Sequence, residues 1–378
     1  MESMGLIQTK YKSLSLNNFD KDSFWKSKKV LVTGYTGFKG SWLTLWLNKL
    51  GAEVMGYALE PSTELSLFNQ IKLSEKCINN FNDIRDKKTL EKTIYEFRPD
   101  FVFHLAAQPL VGISYENPEL TWSTNVMGTI YLLESLKKLN NKCVSIIITT
   151  DKVYQNNEWE YAYRENDPLG GNDPYSSSKA AVEIAVRSWR KSFCGELKHQ
   201  NKYLKLATAR AGNVIGGGDW VKSRLIPDLI DSLKNGEKVF LRNPYSTRPW
   251  QHVLEPLSGY LKLAKLLYIQ DQVTELESSF NFGPKNEANK SVLYLIKKCL
   301  TYWQGEFEIL DNTNLPHEAG LLNVSIDKSY QKLKWSPTWD FEQTIRKTIF
   351  WYKAVILEKS DPLNCCLNDL CSYESDII

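Results

Sequence analysis

The segment that most constrains the fold is a short apolar run, followed at once by three glycines and a second apolar run. Lys29 to Thr33 (KVLVT) has the composition of a buried strand, and Trp42 to Leu50 continues as a helix. Between them stand Gly34, Gly37 and Gly40. Glycines in this position allow a tight turn and let a pyrophosphate approach the positive end of the helix. The segment therefore predicts a dinucleotide-binding unit, the alternative being a glycine-rich turn without a ligand.

Further β-rich runs alternate with amphipathic segments through the first half of the chain. The predicted strands after the first are Val54 to Tyr57, Phe101 to Leu105 and Cys143 to Thr149, and helical stretches lie around Thr121 to Lys138 and Pro174 to Phe193. Strands separated by helices indicate right-handed βαβ units. We therefore predict an α/β fold: a Rossmann-type doubly wound parallel sheet with a smaller C-terminal α/β substrate lobe.

The domain boundaries follow from changes in this pattern. We expect an N-terminal extension at residues 1–24 and a dinucleotide-binding domain at 25–210. After Arg210, glycine- and proline-rich turns interrupt shorter elements, so 211–355 is predicted to be mainly a substrate-binding lobe, with segments near 253–283 returning to the first domain. Residues 356–378 are expected to form a poorly structured tail.

Composition excludes several classes of function. The net charge of +3 is too small for a nucleic-acid binder held by bulk electrostatics, so no nucleic-acid partner is expected. No apolar run approaches the roughly 20 residues that span a bilayer, so no membrane partner is expected either. The opening stretch lacks the apolar core and cleavage site of a signal peptide.

Cysteine usage points to a reducing compartment. The seven cysteines are scattered and odd in number, which predicts no disulfide framework and a cytoplasmic location. Cys365, Cys366 and Cys371 form one cluster but have no fourth ligand nearby, so no metal site is predicted.

Tyr175 and Lys179 form the first candidate catalytic pair. They stand four residues apart in PYSSSKAAVE, so a helix would place both on one face. A phenol with a pKa near 10 is a poor base at neutral pH. A nearby lysine ammonium and an oxidised nicotinamide would both lower that pKa.

Thr150, Asp151 and Lys152 form the second candidate cluster. They follow the Cys143 to Thr149 strand, and residues at the carboxyl ends of parallel strands face the ligand crevice. Thr150 can hydrogen-bond a substrate hydroxyl beside Tyr175. Asp151 and Lys152 add an acid and a base that simple hydride transfer does not require, the alternative being a solvated strand end.

At these residues the chain resembles the extended short-chain dehydrogenase/reductases (the NAD-dependent epimerase/dehydratase family), and within them the CDP-glucose 4,6-dehydratases. The resemblance runs from about Phe24 to Trp351 and is carried by motifs such as TGYTGFKGSWL, TDKVY, RAGNVIGGGDW and RNPYSTRPWQHVLEP. One departure is Tyr35, which stands where the family's glycine loop has histidine.

The resemblance implies NAD as the cofactor and assigns site residues by position. Those expected along the cofactor, besides Tyr175 and Lys179, are Gly34, Thr36, Gly37, Phe38, Gly40, Asp83, Ile84, His104, Ala106, Ala107, Gln108 and Asn125. Those expected to face a nucleotide-sugar substrate are Asn213, Arg224, Arg248 and His252. Whether Glu60 binds the cofactor ribose stays open. Relatives pair through the helices around Thr121 to Lys138 and Tyr175 to Phe193, so a homodimer or homotetramer is expected.

The implied reaction oxidises C4 of the sugar, eliminates water across C5 and C6, and returns the hydride to C6. Thr150 and Lys179 would assist Tyr175 at C4, Lys152 would take the C5 proton, and Asp151 would protonate the departing hydroxyl. A lysine base must be neutral when it acts, so its pKa must fall well below about 10.4. An epimerase, a reductase, or a 4,6-dehydratase of a dTDP-, GDP- or UDP-linked sugar remains the alternative. A non-catalytic dinucleotide sensor commonly lacks the tyrosine-lysine pair.

Overall fold

A single parallel sheet forms the centre of the molecule. The computed structural model describes residues 23–241, 243–270, 274–310 and 320–377. Seven strands pair in the order β3-β2-β1-β4-β5-β6-β11, and every neighbouring pair is parallel. Their bounds are β1 Lys29–Thr33, β2 Glu53–Ala58, β3 Ile78–Phe81, β4 Phe101–His104, β5 Cys143–Ile148, β6 Leu204–Ala211 and β11 Ser279–Phe282. Strands β2 and β3 are added on one side of β1, and β4, β5, β6 and β11 are added on the other. This reversal of strand order between β1 and β4 is the predicted Rossmann-type arrangement.

Helices cover both faces of the sheet and form part of the smaller lobe. Their bounds are α1 Phe38–Lys49, α2 Leu67–Gln70, α3 Lys87–Phe97, α4 Val111–Glu116, α5 Pro118–Trp122, α6 Gly128–Leu136, α7 Pro174–Phe193, α8 Leu225–Asn235, α9 Leu254–Ile269, α10 Val292–Tyr302, α11 Phe341–Ile356 and α12 Pro362–Asp376. Within the described part of the chain, every helix is too short or too polar to cross a bilayer.

Side chains from successive strand residues enter two different cores. In β5, Ile146 packs in one hydrophobic cluster and Ile147 in the other, and Val30 and Leu31 of β1 divide in the same way. This is the period of two that a strand imposes. Because both faces are buried, the strands read in the sequence as continuous apolar runs.

Among its described residues, the smaller lobe contains three two-stranded sheets. They pair β7 (Val214–Ile215) with β10 (Gln251–His252), β8 (Val239–Leu241) with β13 (Phe307–Ile309), and β9 (Thr247–Pro249) with β12 (Asn289–Ser291). Between these elements, α9 packs against the main sheet and β11 pairs with β6.

The C-terminal segment is a docked helix, which corrects the expectation of a poorly structured tail. Asp361 caps α12 by accepting hydrogen bonds from the first turn. Cys366, Leu370 and Tyr373 are spaced on one face of the helix and are fully buried. The Tyr373 hydroxyl donates to the Glu255 carboxylate over 2.7 Å. These three residues follow an ordinary apolar helical period, which the cysteines of the segment do not interrupt.

The beginning of the described chain is also part of the main body. Phe24, expected in the extension, packs edge-on against Phe101 at 5.9 Å and Tyr268 at 5.8 Å between ring centroids. The neighbouring Trp25 is buried. Residues 1–22 of the predicted extension lie outside the described residues.

Replacing Leu370 with alanine should lower the free energy of unfolding by about 2–5 kcal/mol, because it leaves a cavity under α12. The exposed neighbour Cys371 gives a matched control, and Cys371→Ala should change stability by no more than about 0.5 kcal/mol. Denaturant unfolding of both variants measures the difference. Equal stabilities would show that α12 is not docked.

Candidate active site

The glycine loop lies where β1 meets α1, and two of its glycines are required by close approaches. Gly34 has a φ of +72°, and a Cβ there would lie 2.7 Å from the Ala106 backbone nitrogen. A Cβ on Gly40 would lie 2.1 Å from the Gly34 carbonyl oxygen. Gly37 precedes α1 and has no side chain to cap the helix. The first N–H groups of α1 are therefore available to an anion, which fits the pyrophosphate of a dinucleotide.

Thr36 and Phe38 flank Gly37 in this loop. The Thr36 hydroxyl donates to the Leu59 carbonyl over 2.9 Å, which ties the loop to the end of β2. Thr36, Gly37 and Phe38 border a cavity of about 60 Å³ together with residues 218–221. Glu60 lies exposed just beyond β2, and its contact with a ribose stays a prediction.

Tyr35 points into the core. Its ring meets Phe68 edge-on at 5.2 Å, and its hydroxyl donates to Asn79 over 3.1 Å. A Cβ on Gly56 would lie 2.2 Å from the Tyr35 ring, so Gly56 makes room for it. Tyr35 therefore packs beneath the loop.

Asp83 and Ile84, expected along the cofactor, follow β3 at the same edge of the sheet. The Asp83 carboxylate forms a 2.6 Å ion pair with Arg85, which holds the pKa of Asp83 below its ordinary value. Ile84 is buried, and a Cβ on Gly128 would lie 2.8 Å from its Cγ2. Gly128 thus lets α6 approach Ile84 closely.

His104 is held inside the fold rather than on a ligand-facing surface. Its Nδ1 lies 2.7 Å from the Thr33 hydroxyl and its Nε2 lies 3.0 Å from the Thr129 hydroxyl. Burial lowers the pKa of His104 to about 3, so the ring is neutral. The Ala106 N–H donates to the same Thr33 hydroxyl over 3.2 Å. We infer that His104 acts by positioning the Ala106 to Gln108 loop.

Asn125 connects that loop to the helix of the catalytic pair. It lies in a π-helical turn, Ser123–Met127, a distortion frequent at functional sites. Its carboxamide accepts from the Gln108 N–H over 2.8 Å and donates to the Ser178 hydroxyl over 2.9 Å. Ser178 in turn donates to the Tyr175 carbonyl over 2.7 Å. Ala107 is half-buried in the same loop.

Tyr175 and Lys179 lie in the first two turns of α7, as predicted. Asp173 caps the helix by accepting from the Ser176 N–H, and Pro174 occupies its first position. Both side chains are buried, and the Lys179 ammonium donates to the carbonyl of Ile148, the last residue of β5, over 3.2 Å.

The pKa values of the pair differ in part from expectation. Burial raises the pKa of Tyr175 to about 12, and the nearby Thr150 hydroxyl opposes that rise. The protein's own groups therefore do not lower the phenol pKa, because loss of water contact outweighs them. Burial, with the charge of Lys39, lowers the pKa of Lys179 to about 8.

Thr150 and Asp151 lie beside Tyr175 at the tip of β5. The Thr150 hydroxyl donates to the Asp151 carboxylate over 3.0 Å. Asp151 is 1% exposed, and burial raises its pKa although the charges of Lys152, Arg248 and Lys39 oppose this. The Thr150 hydroxyl and the charge of Asp151 both influence the pKa of Tyr175. The two predicted clusters therefore lie together at the tip of β5. Lys152 is half-buried next to them.

Two residues of this site were missed in the sequence. Gly212 makes room for the acid, since a Cβ there would lie 2.7 Å from Asp151 Oδ2. Lys39 lies in the first turn of α1, and its charge favours lower pKa values for both Asp151 and Lys179. A lysine at the positive end of a helix opposes the helix dipole, and that mismatch could have identified it.

Of the four residues expected to face the substrate, the two arginines lie at the site. The charge of Arg224 opposes the rise in the pKa of Tyr175, and the charge of Arg248 opposes the rise in the pKa of Asp151. Arg224 also forms a 3.0 Å ion pair with Asp219. Asn213 is half-buried directly after Gly212.

His252 is buried in the core, contrary to the expectation that it faces substrate. Its ring lies edge-on to Trp42 at 6.2 Å and to Trp339 at 4.8 Å, and it is 0% exposed. Burial lowers the pKa of His252 to about 3. Position in a motif cannot show on which side of the chain a ring lies. Among residues 23–241, 243–270, 274–310 and 320–377, no three His, Cys, Asp or Glu side chains are grouped as metal ligands.

The comparisons with known proteins agree with this geometry. Residues 31–348 match the family model described as GDP-mannose 4,6 dehydratase. The chain is 47% identical to the CDP-glucose 4,6-dehydratase of Salmonella typhimurium, over 93% of this chain and 98% of that protein. It is 26% identical to the dTDP-D-glucose 4,6-dehydratase of Dictyostelium discoideum, over 86% of this chain and 82% of that protein.

Solved structures show the same fold. A dTDP-glucose 4,6-dehydratase from Bacillus anthracis, in complex with NAD, superimposes with a TM-score of 0.71 at 22% identity, over 86% of this chain and 97% of that chain. The fold and the tyrosine-lysine pair define an extended short-chain dehydrogenase/reductase. Within that class, the chain belongs to the GDP-mannose 4,6-dehydratase family.

Proposed function

We propose that the protein is an NAD-dependent CDP-glucose 4,6-dehydratase, a hydro-lyase that forms CDP-4-keto-6-deoxyglucose. The observation that carries the proposal is the meeting of the buried acid Asp151 with Tyr175 at the tip of β5, with Lys152 alongside. An epimerase or a reductase needs the tyrosine but has no use for the second acid and base. The Salmonella typhimurium relative supports the choice of the CDP-linked sugar.

The dinucleotide-binding domain would hold NAD through the glycine loop and the segments that follow β3 and β4. When bound, NAD would supply a hydride acceptor for C4 of the sugar and, once reduced, a hydride donor for C6. The residues after 210, with Arg224 and Arg248, would bind the nucleotide sugar. A guanidinium suits the diphosphate because it offers paired hydrogen bonds.

The side chains of the site would carry the protons of the reaction. Tyr175 removes the proton of the C4 hydroxyl as C4 loses its hydride, so that a ketone forms at C4 and the C5 proton becomes acidic. Lys152 takes that C5 proton and later returns it. Asp151 protonates the departing C6 hydroxyl, and burial suits it to this role because it favours the protonated carboxyl.

Incubating the enzyme with NAD and a panel of CDP-, dTDP-, GDP- and UDP-linked hexoses tests the proposal directly. Mass spectrometry should find loss of one water from CDP-glucose at a rate well above the other substrates. A product of unchanged mass would indicate an epimerase, and tight NAD binding without any nucleotide-sugar binding would indicate a sensor.

Lys152→Met should separate oxidation from elimination. The variant lacks the C5 base, so reduced nicotinamide should accumulate in a single turnover while product formation falls by about 10²-fold or more. Lys26→Met, on an exposed lysine at the amino-terminal edge of the sheet, is the matched control. Normal turnover of Lys152→Met would refute the assignment of the base.

We also propose a cytoplasmic homodimer or homotetramer. The helices expected at the interface expose apolar side chains, including Trp122 at 41%, Met127 at 40% and Ile184 at 60%. All seven cysteines are free, which suits a reducing compartment. Light scattering should give a mass of at least two chains, and Ile184→Asp should reduce it. A wild-type mass of one chain would contradict the assembly.

A further inference from the structure

Asp219 is a buried acid next to a residue that would bind an anion. It is 4% exposed and lies five residues before Arg224, which the proposed function assigns to the diphosphate of the nucleotide sugar. A carboxylate close to a diphosphate repels it, so a buried one here requires an explanation. We propose that Asp219 is a positioning residue, which holds the Arg224 guanidinium in the orientation that binds the diphosphate. This inference rests on the proposed dehydratase function.

The Asp219 carboxylate and the Arg224 guanidinium form a direct ion pair. Asp219 Oδ2 accepts from Arg224 Nη1 over 3.0 Å, and the two side chains are 6% and 32% accessible to water. Among the described residues, this carboxylate is the only hydrogen-bond partner of the guanidinium. A guanidinium carries five N–H donors. Arg224 is therefore held at one nitrogen and keeps further donors for a ligand.

Asp219 is itself fixed at both its side chain and its backbone. Its Oδ1 accepts from the Val221 N–H over 3.3 Å, and its carbonyl oxygen accepts from the Tyr352 hydroxyl over 2.6 Å. The Tyr352 side chain is buried in α11. Because the carboxylate and the carbonyl are both bound, the aspartate has little freedom to move. The arginine therefore takes its position from the aspartate.

The residues on either side of Asp219 fasten its loop to the dinucleotide-binding domain. The Gly217 carbonyl accepts from Trp42 Nε1 of α1 over 3.0 Å. Trp220 Nε1 donates to Gln70 Oε1 of α2 over 2.8 Å. The loop that carries the carboxylate is therefore anchored to two helices of that domain.

Asp219 also offsets positive charge beside the glycine loop. Asp219 and Gly37 border the same cavity of about 60 Å³. Lys39 follows in the first turn of α1, and burial, with the charge of Arg224, lowers the pKa of Lys39 to about 8. Two cations that lie close together repel each other, and before a substrate binds this repulsion would push a long arginine side chain towards water. The ion pair with Asp219 keeps Arg224 in the site.

Two effects of Asp219 on the binding of a diphosphate oppose each other. Its charge repels the phosphates, but it occupies a guanidinium nitrogen on the side away from the ligand and so lies farther from them than the arginine does. Fixing the arginine in advance removes part of the entropic cost of binding, and arginine is among the side chains with the most rotamer freedom to lose. We expect the second effect to be larger, so loss of the carboxylate should weaken binding.

Asp219→Asn tests the orienting role, because it keeps the size of the side chain and its acceptor for Val221 but removes the charge-assisted hydrogen bond. Calorimetry of the NAD-loaded enzyme should show CDP binding weakened by about 10-fold, the upper end of the cost of immobilising one such side chain. The KM for CDP-glucose should rise by the same factor with kcat unchanged. Asp231→Asn, on an exposed acid of α8, is the matched control. Tighter CDP binding would show that the carboxylate only competes with the diphosphate for Arg224, and would overturn the proposal.

A double-mutant cycle tests whether Asp219 acts through Arg224. Arg224→Met should weaken CDP binding by about 10²-fold, the range for lost hydrogen bonds to a charged group. Adding Asp219→Asn to Arg224→Met should change the affinity by less than about 2-fold, because no guanidinium is left to orient. The double variant also avoids a buried carboxylate without its partner, so it stays folded where the single arginine variant is unstable. Losses that add in full would mean that Asp219 acts independently of Arg224, and the proposal would be wrong.

The affinity for NAD separates positioning from a general loosening of the loop. Asp219→Asn should leave the dissociation constant of NAD within about 2-fold of the wild-type value. Equal losses of NAD and CDP binding would mean that Asp219 only holds the loop, and a loss of NAD binding alone would place Arg224 at the cofactor. Either result refutes the positioning role. If the wild-type enzyme binds CDP but releases no water from CDP-glucose, the proposed dehydratase function fails instead. A wild-type enzyme that binds no CDP would contradict both.

Discussion

The catalytic arrangement depends on one buried carboxylate. Glu183 lies two helical turns beyond Tyr175 on α7, and its oxygens accept from Thr149 of the β5 tip over 2.5 Å, Thr208 of β6 over 2.8 Å and Ser279 of β11 over 3.0 Å. Arg210 completes the site with a 2.8 Å ion pair in which both side chains are nearly inaccessible to water. The helix that carries the phenol is thereby fixed to the strand that carries Thr150 and Asp151.

Such a pair is a costly way to join two elements. Removing both charges from water costs several kcal/mol per ion, and the attraction between them offsets this only where further hydrogen bonds satisfy the remaining oxygens and nitrogens. The Glu183 oxygens meet that condition, whereas Arg210 Nε is buried without a hydrogen-bond partner among the described residues. The charge of Glu183 also favours the ammonium form of Lys179 one turn away. We infer that the network is kept for positional accuracy, because apolar packing would leave the helix freer to shift along the sheet.

The sequence predicted those parts of the protein in which a local period or spacing determines the outcome. The runs of β1, β4 and β5, the glycine loop and the tyrosine-lysine spacing all depend on neighbouring residues, and each was found where predicted. The docking of α12 depends on contacts with Glu255 and α1 that are distant in sequence. The burial of His252 between Trp42 and Trp339 is equally non-local. Lys39 belongs to the site through the sheet topology and not through any motif of its own.

The same non-local effects determine the electrostatics of the site. The chain carries a formal charge of only +3, yet the groups whose charges act on Asp151 or Tyr175 include four cations, which are Lys39, Lys152, Arg224 and Arg248. A lone buried carboxylate among cations would ordinarily ionise, but the loss of water contact is the larger effect here and favours the protonated acid. A diphosphate would neutralise part of that positive charge, and the pKa of Asp151 would then rise further. Binding of an anionic substrate would thus itself favour the protonated acid that elimination requires.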